Sequence, residues 1–215
     1  VLVALVGLSL VFHRAIGKKS VLFIAISMMV SVLFLYLMDY DFKWQAWFWL
    51  TLIVFLLLTQ PINIKKPSFW GHFGFYLLVA TVALNASYST TRNVLMMEGD
   101  HENFENYNMF LEKIESGKNN HFAYRKLHMM IDKNGKKNPL FPELRWFKNG
   151  ETLIPVSAIS RYPNEDIMVS LGQMTEKGWT MRFLRQPLMQ WIWLAGLIIA
   201  SSGMIGFFSK KRGEQ

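Results

Sequence analysis

The sequence predicts a polytopic α-helical membrane protein with a small, mainly β extracytoplasmic domain between its last two transmembrane helices. Hydrophobic residues make up 52% of the 215 and aromatic ones 15%, high for a soluble domain and usual for a chain that spends half its length in lipid. Uncharged apolar runs recur at lengths that approach or reach the roughly 20 residues needed to cross a bilayer. Between the last two runs lie about a hundred mixed polar residues, which supply no span. Residues 1–88 are expected to hold about four transmembrane helices, the first truncated. Residues 89–186 are expected to form the β-rich domain, 187–209 the last span and 210–215 a cytoplasmic tail.

Val1 to Phe12 reads as the end of a membrane helix, followed by a basic loop with His13, Arg14, Lys18 and Lys19. The chain starts at Val1 inside an apolar run without an initiator Met, which points to a fragment, a processed chain or an incompletely resolved terminus. No basic region precedes these residues and no small-residue cleavage site follows, so they do not read as a signal peptide. Val21 to Met38 is an uncharged run and a span. Asp39, Asp41 and Lys43 make a short connection to the next span, about Trp44 to Thr59, where Trp44, Trp47 and Trp49 suit an interfacial aromatic belt. Gln60, Pro61 and Asn63 break that helix, Lys65 and Lys66 follow, and Pro67 opens the next. That helix runs through Ser68 to Ser89.

Beyond Ser89, Lys133-Asn134-Gly135 and Lys148-Asn149-Gly150 are turn signals, and Asp166 to Met174 with Trp179 to Leu184 reads as a hairpin around Lys177-Gly178. Trp179, Met181 and Phe183 alternate with Thr180, Arg182 and Leu184, the period of a strand buried on one face. Lys113 to Asn120 and Asn134 to Pro142 read as loops. Pro187 to Ser209 is an uncharged final span entered through Trp191 and Trp193 and closed by Lys210, Lys211 and Arg212.

The formal charge is +8, yet its distribution argues against nucleic acid. Residues 87–186 carry 14 Lys/Arg against 12 Asp/Glu, which leaves no basic face; the excess sits beside the apolar runs. Arg14, Lys18, Lys19, Lys65, Lys66, Lys210, Lys211 and Arg212 fall in one set of loops, and the only short loop on the other side holds Lys43 with two aspartates. This bias places the basic loops and the C-terminus in the cytoplasm and residues 89–186 outside it. With no cysteine, the chain offers no disulfide, thiolate metal site or catalytic thiol. No nucleophile, general-base pair or phosphate loop is evident, so no catalytic residue is assigned.

His72 is the only ionisable side chain between Ser68 and Ser89, and an imidazole at membrane depth is costly unless something binds it. On a helix it shares a face with Phe75, Tyr76, Val79 and Ala83, and Gly71 and Gly74 are expected to leave room beside the ring. That pattern suits a bulky flat ligand held by one nitrogen. It equally suits a histidine at a headgroup boundary or one bonded to a neighbouring helix. His13 reads as solvated. His101, His121 and His128 show no metal-ligand spacing. Arg92, just beyond the membrane, is a candidate for a carboxylate or headgroup contact.

Three segments together resemble the C-terminal third of the CcmF-type cytochrome c haem lyases. Gly71 to Gly99, GHFGFYLLVATVALNASYSTTRNVLMMEG, is similar to that family's His-x-Gly span leading into Tyr-Ser, Arg-x-Val and Gly-Asp. Pro187 to Gly196, PLMQWIWLAG, is similar to its Pro-x-x-x-Trp-Ile-Trp-Leu approach to the last helix. Between them, Leu171-Gly172, Gly178-Trp179 and Arg182 to Pro187 share its pattern more loosely. The resemblance implies a bacterial inner (cytoplasmic) membrane protein, or a mitochondrial inner membrane one, with residues 89–186 periplasmic. It implies a membrane b-type haem with His72 as one axial ligand to the iron and the second ligand outside this segment. It further implies a part in reducing haem and attaching it to the Cys-x-x-Cys-His motifs of apocytochrome c. The partners would be a haem-carrier protein, apocytochrome c and other cytochrome c maturation subunits, with quinol as a possible electron source. The family's tryptophan-rich loop, its two periplasmic histidines and its second membrane histidine are not found here, so the chain is expected to be a fragment or one subunit of a split lyase, and not a complete enzyme by itself. The contrasting expectation is a membrane-anchored scaffold that docks a partner and carries no cofactor of its own.

Overall fold

The computed structural model describes residues 18–60, 62–133, 135–147 and 153–213, with side chains from 21 to 209 among them. The expected truncated first helix, His13, Arg14, Asn134 and Lys148-Asn149-Gly150 lie outside the described residues. Helices and strands separate into two compact units, the strand unit running Ser89–Met189.

In the helical unit, α1 spans Lys18–Leu37, α2 Trp44–Thr59, α3 Pro67–Tyr88 and α4 Met189–Gly213. Two stretches, Pro67–Tyr88 and Met189–Ser209, are long and apolar enough to cross a membrane, while Val21–Leu37 and Trp44–Thr59 are shorter apolar helices. The 16 residues of α2 extend about 24 Å at 1.5 Å per residue. A polar contact joins α1 to α2, with the Ser31 and Thr51 hydroxyls 2.7 Å apart; small hydroxyl residues let apolar helices approach closely. The α1–α2 connection is tied to the end of α3. Lys43 Nζ donates to the Ser87 carbonyl at 2.6 Å, Tyr88 Oη donates to the Asp41 carbonyl at 2.6 Å, and the Tyr40 and Tyr88 rings stack at 4.4 Å.

Gly71 and Gly74 do not leave room beside His72. Each residue advances a helix by about 100°, which turns both glycines toward α4. A Cβ on Gly74 would sit 2.9 Å from Ile199 Cγ1 and 3.2 Å from the Ala195 carbonyl oxygen, and one on Gly71 would sit 3.1 Å from Ser202 Oγ. They are the small residues that allow α3 and α4 to cross closely. Gly74→Leu is expected to force the helices apart and lower stability by about 1–3 kcal/mol, read as a fall in thermal midpoint of the detergent-solubilised chain; an unchanged midpoint would remove this role.

The strand unit is a sandwich of two antiparallel sheets. The strands are β1 (Thr90–Met96), β2 (His101–Phe104), β3 (Tyr107–Lys118), β4 (Phe122–Lys133), β5 (Lys136–Leu140), β6 (Glu143–Phe147), β7 (Leu153–Val156), β8 (Ala158–Tyr162), β9 (Glu165–Thr175) and β10 (Gly178–Pro187). One sheet has the order β1-β10-β9-β8, the other β2-β3-β4-β6-β7 with β5 also on β4. Trp179, Met181 and Phe183 are buried while Thr180, Arg182 and Leu184 are not, so the alternation in the sequence is the alternation of the strand. Facing them across the core are Met109, Leu111, Leu127, Met129 and Ile131. The expected hairpin is present, with Trp179 opposite Met174. Its turn needs Gly178, whose φ is +127° and whose Cβ would lie 2.9 Å from the Met96 carbonyl oxygen.

Two expected loops are strands. Lys113 to Lys118 continues β3, paired from Lys113↔His128 to Lys118↔Ala123. Its side chains are mostly exposed, so it carries no apolar face in the sequence; backbone pairing holds it instead. Lys136 to Leu140 pairs with Lys133 to Met129 as β5. Pro139 is tolerated there because β5 pairs only with β4, leaving one side of its backbone without ladder bonds to make. Pro187 ends β10, and Leu188, with φ +58°, makes the joint to α4.

At the end of the sandwich where the chain enters and leaves, Glu165 gathers charge from both sheets. Arg185 Nε donates to it at 2.5 Å and Lys133 Nζ also bonds it, while Arg185 Nη1 reaches Glu105 at 2.6 Å. Burial alone would raise the Glu165 carboxyl, but hydrogen bonds from Lys133, Tyr107 and Arg185 outweigh it and hold the carboxyl below its ordinary value. Tyr107 is pushed far up, first by burial and then by the Glu165 carboxylate.

Candidate cofactor site

The helical unit carries an open cleft of about 440 Å³ between the end of α2, the following connection and the start of α3. Its walls are Leu56, Thr59, Phe69, His72 and Tyr76, and Gln60, Asn63, Lys66 and Ser68 supply polar groups at its edge. The cleft exists because Gln60 leaves the helix with extended backbone, φ −77° and ψ 137°. The chain then turns, with Lys66 N donating to the Asn63 carbonyl at 3.0 Å, before Pro67 starts α3. Trp70 Nε1 donates to the Ile64 carbonyl at 2.9 Å, pinning this connection against the first turn of α3.

The His72 ring is exposed in the cleft and stacks on Tyr76, one turn on, with centroids 6.4 Å apart. Among the described residues it makes no hydrogen bond, so both ring nitrogens are available. A second unsatisfied group lies nearby: Gln60 Oε1 is buried without a hydrogen-bond partner. A half turn of the amide puts Nε2 in the same place, so this group can donate or accept. Flat apolar and aromatic walls, one free imidazole and an edge with a cation and amides fit a planar apolar ligand with an acidic margin, bound through metal at its centre.

Of the face expected from the sequence, His72 and Tyr76 line the cleft; Phe75 does not and is 55% exposed. Gln60, Asn63 and Lys66 were legible only as a helix stop and a topological charge, because nothing in their spacing shows that the connection folds back beside α3.

The remaining candidates lie in the sandwich. His101 stacks on Phe110 with centroids 4.3 Å apart. His128 Nε2 lies 2.9 Å from Glu115, and that hydrogen bond holds the exposed carboxyl below its ordinary value. His121 N donates to Asn119 Oδ1 at 2.9 Å in the β3–β4 turn. Arg92 is engaged within the sandwich, donating to the Asn103 carbonyl at 2.6 Å and lying 3.7 Å from Glu102. The structure brings none of these together into a site. Trp44 is exposed, and Trp47 and Trp49 are half-buried on α2.

Comparison with known proteins bears on both units. The family model described as the CcmF C-terminal beta-sandwich matches residues 87–187. The cytochrome c-type biogenesis protein CcmF of Escherichia coli strain K12 is 25% identical over 150 residues, 67% of this chain and 23% of that protein. That of Haemophilus influenzae is 25% identical over 158 residues, 70% of this chain and 24% of that protein. A solved structure, Cytochrome c Heme Lyase CcmF, shares the fold with a TM-score of 0.68 at 16% identity, over 89% of this chain and 35% of that one. The chain thus spans about a quarter of the length of the curated relatives it matches. The sandwich is thus similar to the CcmF C-terminal beta-sandwich, and the likeness of the chain to CcmF-type cytochrome c biogenesis proteins runs on beyond it.

Proposed function

We infer that this chain is the C-terminal portion of a membrane machine for cytochrome c biogenesis and that His72 supplies one axial ligand to a b-type haem. The observation that carries the inference is the His72 imidazole, unbonded and facing an apolar cleft beside a second unsatisfied polar group. An imidazole left so in lipid is unfavourable, and iron ligation satisfies it. A b-type haem held there would supply one-electron transfer. The protein's share is positional. Tyr76 stacks on the His72 ring, Leu56 and Phe69 would shield a bound haem from water, and Lys66 would offer it charge. The second ligand is expected from a part of the protein outside this segment.

The proposed membrane arrangement is polytopic, in a bacterial inner membrane, with the Gln60–Lys66 connection and the C-terminus cytoplasmic and the sandwich periplasmic. Two long apolar helices flanking the sandwich and the charge bias of the loops support it. The mitochondrial inner membrane is the alternative location. The sandwich is proposed to meet a haem carrier, apocytochrome c or companion maturation subunits, with haem reduction, from quinol, and attachment completed by the assembly.

The test is absorption spectroscopy of the chain purified together with the rest of its protein. The wild type is expected to show a Soret band that His72→Ala abolishes or shifts, with the sandwich still folded. An unchanged spectrum, or a colourless wild-type assembly, would favour a membrane-anchored scaffold without a cofactor.

A further inference from the structure

At the end of the sandwich away from Ser89 and Leu188, Arg125 of β4 lies beside two indoles. Its guanidinium carbon is 4.9 Å from the Trp179 ring centroid and 5.5 Å from that of Trp146. Nη1 points to the Met174 sulfur at 4.0 Å, too weak an acceptor to satisfy a cation. Three arginines of the sandwich are half-buried. Arg145 has Glu143 and Arg185 has Glu165 and Glu105. Arg125 has no carboxylate among the described residues. Aromatic rings and a thioether leave its N–H donors to bind.

Two methionines stand exposed at this end, next to the polar Thr175, Glu176 and Lys177 of the hairpin turn. Met174 is 62% exposed and sits opposite Trp179 in the hairpin, and Met97, 49% exposed, follows the strand end that pairs with Trp179. A half-buried arginine beside two tryptophans, with adaptable methionines at the same end, has the composition of an interface anchor. We propose that this end of the sandwich is a docking site for an acidic peptide segment of a partner protein, an Asp or Glu carboxylate bound edge-on by Arg125 and its apolar neighbours packed on Met97 and Met174. The charge and the bidentate edge select a carboxylate, and the methionine rim selects a peptide over a bare inorganic anion, which would gain nothing from it. Nothing here uses His72, so the docking site and the cofactor reading fail separately.

The test titrates the detergent-solubilised full chain with ten-residue peptides holding one Asp or Glu between Leu and Val residues, and with the same peptides carrying Asn or Gln. The acidic peptides are expected to bind at least about tenfold more tightly. Arg125→Gln is expected to erase that preference and Arg125→Lys to weaken it, because an ammonium lacks the planar fork. Should Arg125→Gln fail to fold, Met174→Glu decides: at this exposed position it brings a carboxylate to the guanidinium from within and is expected to block the acidic peptides without lowering the thermal midpoint. Equal binding of acid and amide peptides, no binding by any of them, or a preference that survives Arg125→Gln would overturn the proposal.

Discussion

Phe183→Ala is expected to destabilise the sandwich by about 3–5 kcal/mol, the usual range for emptying a buried phenylalanine site. Phe183 is fully buried and meets Phe104 of the opposite sheet with ring centroids 6.3 Å apart. Its backbone is held on both sides, opposite Arg92 in β1 and Val169 in β9, so the sheet cannot collapse into the void. A domain of this size is stable by roughly 5–15 kcal/mol, and the loss removes a large part of it. Chemical denaturation of the full chain, followed by near-ultraviolet circular dichroism, measures the change. A loss under about 1 kcal/mol would mean that the two sheets do not share this core.

The second large effect belongs to Glu165. Its side chain is 9% exposed and neutralises Lys133 and Arg185, themselves about a quarter exposed. Glu165→Gln leaves Lys133 without its anion and Arg185 with Glu105 alone. Removing one partner of a fully buried pair costs about 3–5 kcal/mol; with the cations partly solvated, about 2–3 kcal/mol is expected. The pH dependence follows from the direction of the shift. A carboxyl held below its ordinary value in the folded state contributes stability that is fully present above the unfolded value, about pH 4.3, and is lost as pH falls through the folded one. Wild-type stability is therefore expected to drop along an acid limb beginning near that pH, and Glu165→Gln to flatten the limb. An acid limb of the same depth in both proteins would show that other carboxylates carry it.

The parts of the fold legible in the sequence are those where one face of an element is uniform. The runs that became α2 and α3 contain no charged residue, and Trp179, Met181 and Phe183 announce β10 by alternation. The second half of β3 was not legible, because a strand held by its neighbour's backbone needs no apolar side, and β5 was hidden by Pro139. The site shows the same division. His72 stood out because an imbalance of polarity is visible along one dimension. The cleft did not, since Gln60, Asn63 and Lys66 reach it only through a turn whose direction depends on Trp70 and Ile64. Gly71 and Gly74 are legible as small residues, but their neighbour is not, because the sequence carries no record of which face α4 covers.

Removing the imbidazole side chain and supplying imidazole separately distinguishes a ligand from a packing residue most directly. In the His72→Gly protein, purified with the rest of its assembly, the Soret band is expected to be lost or displaced and then restored as free imidazole is titrated in, because the added ring can coordinate iron in the space left beside Tyr76. A band unaffected by the substitution, or one lost and never recovered at any imidazole concentration while the sandwich stays folded, would contradict His72 as the iron ligand.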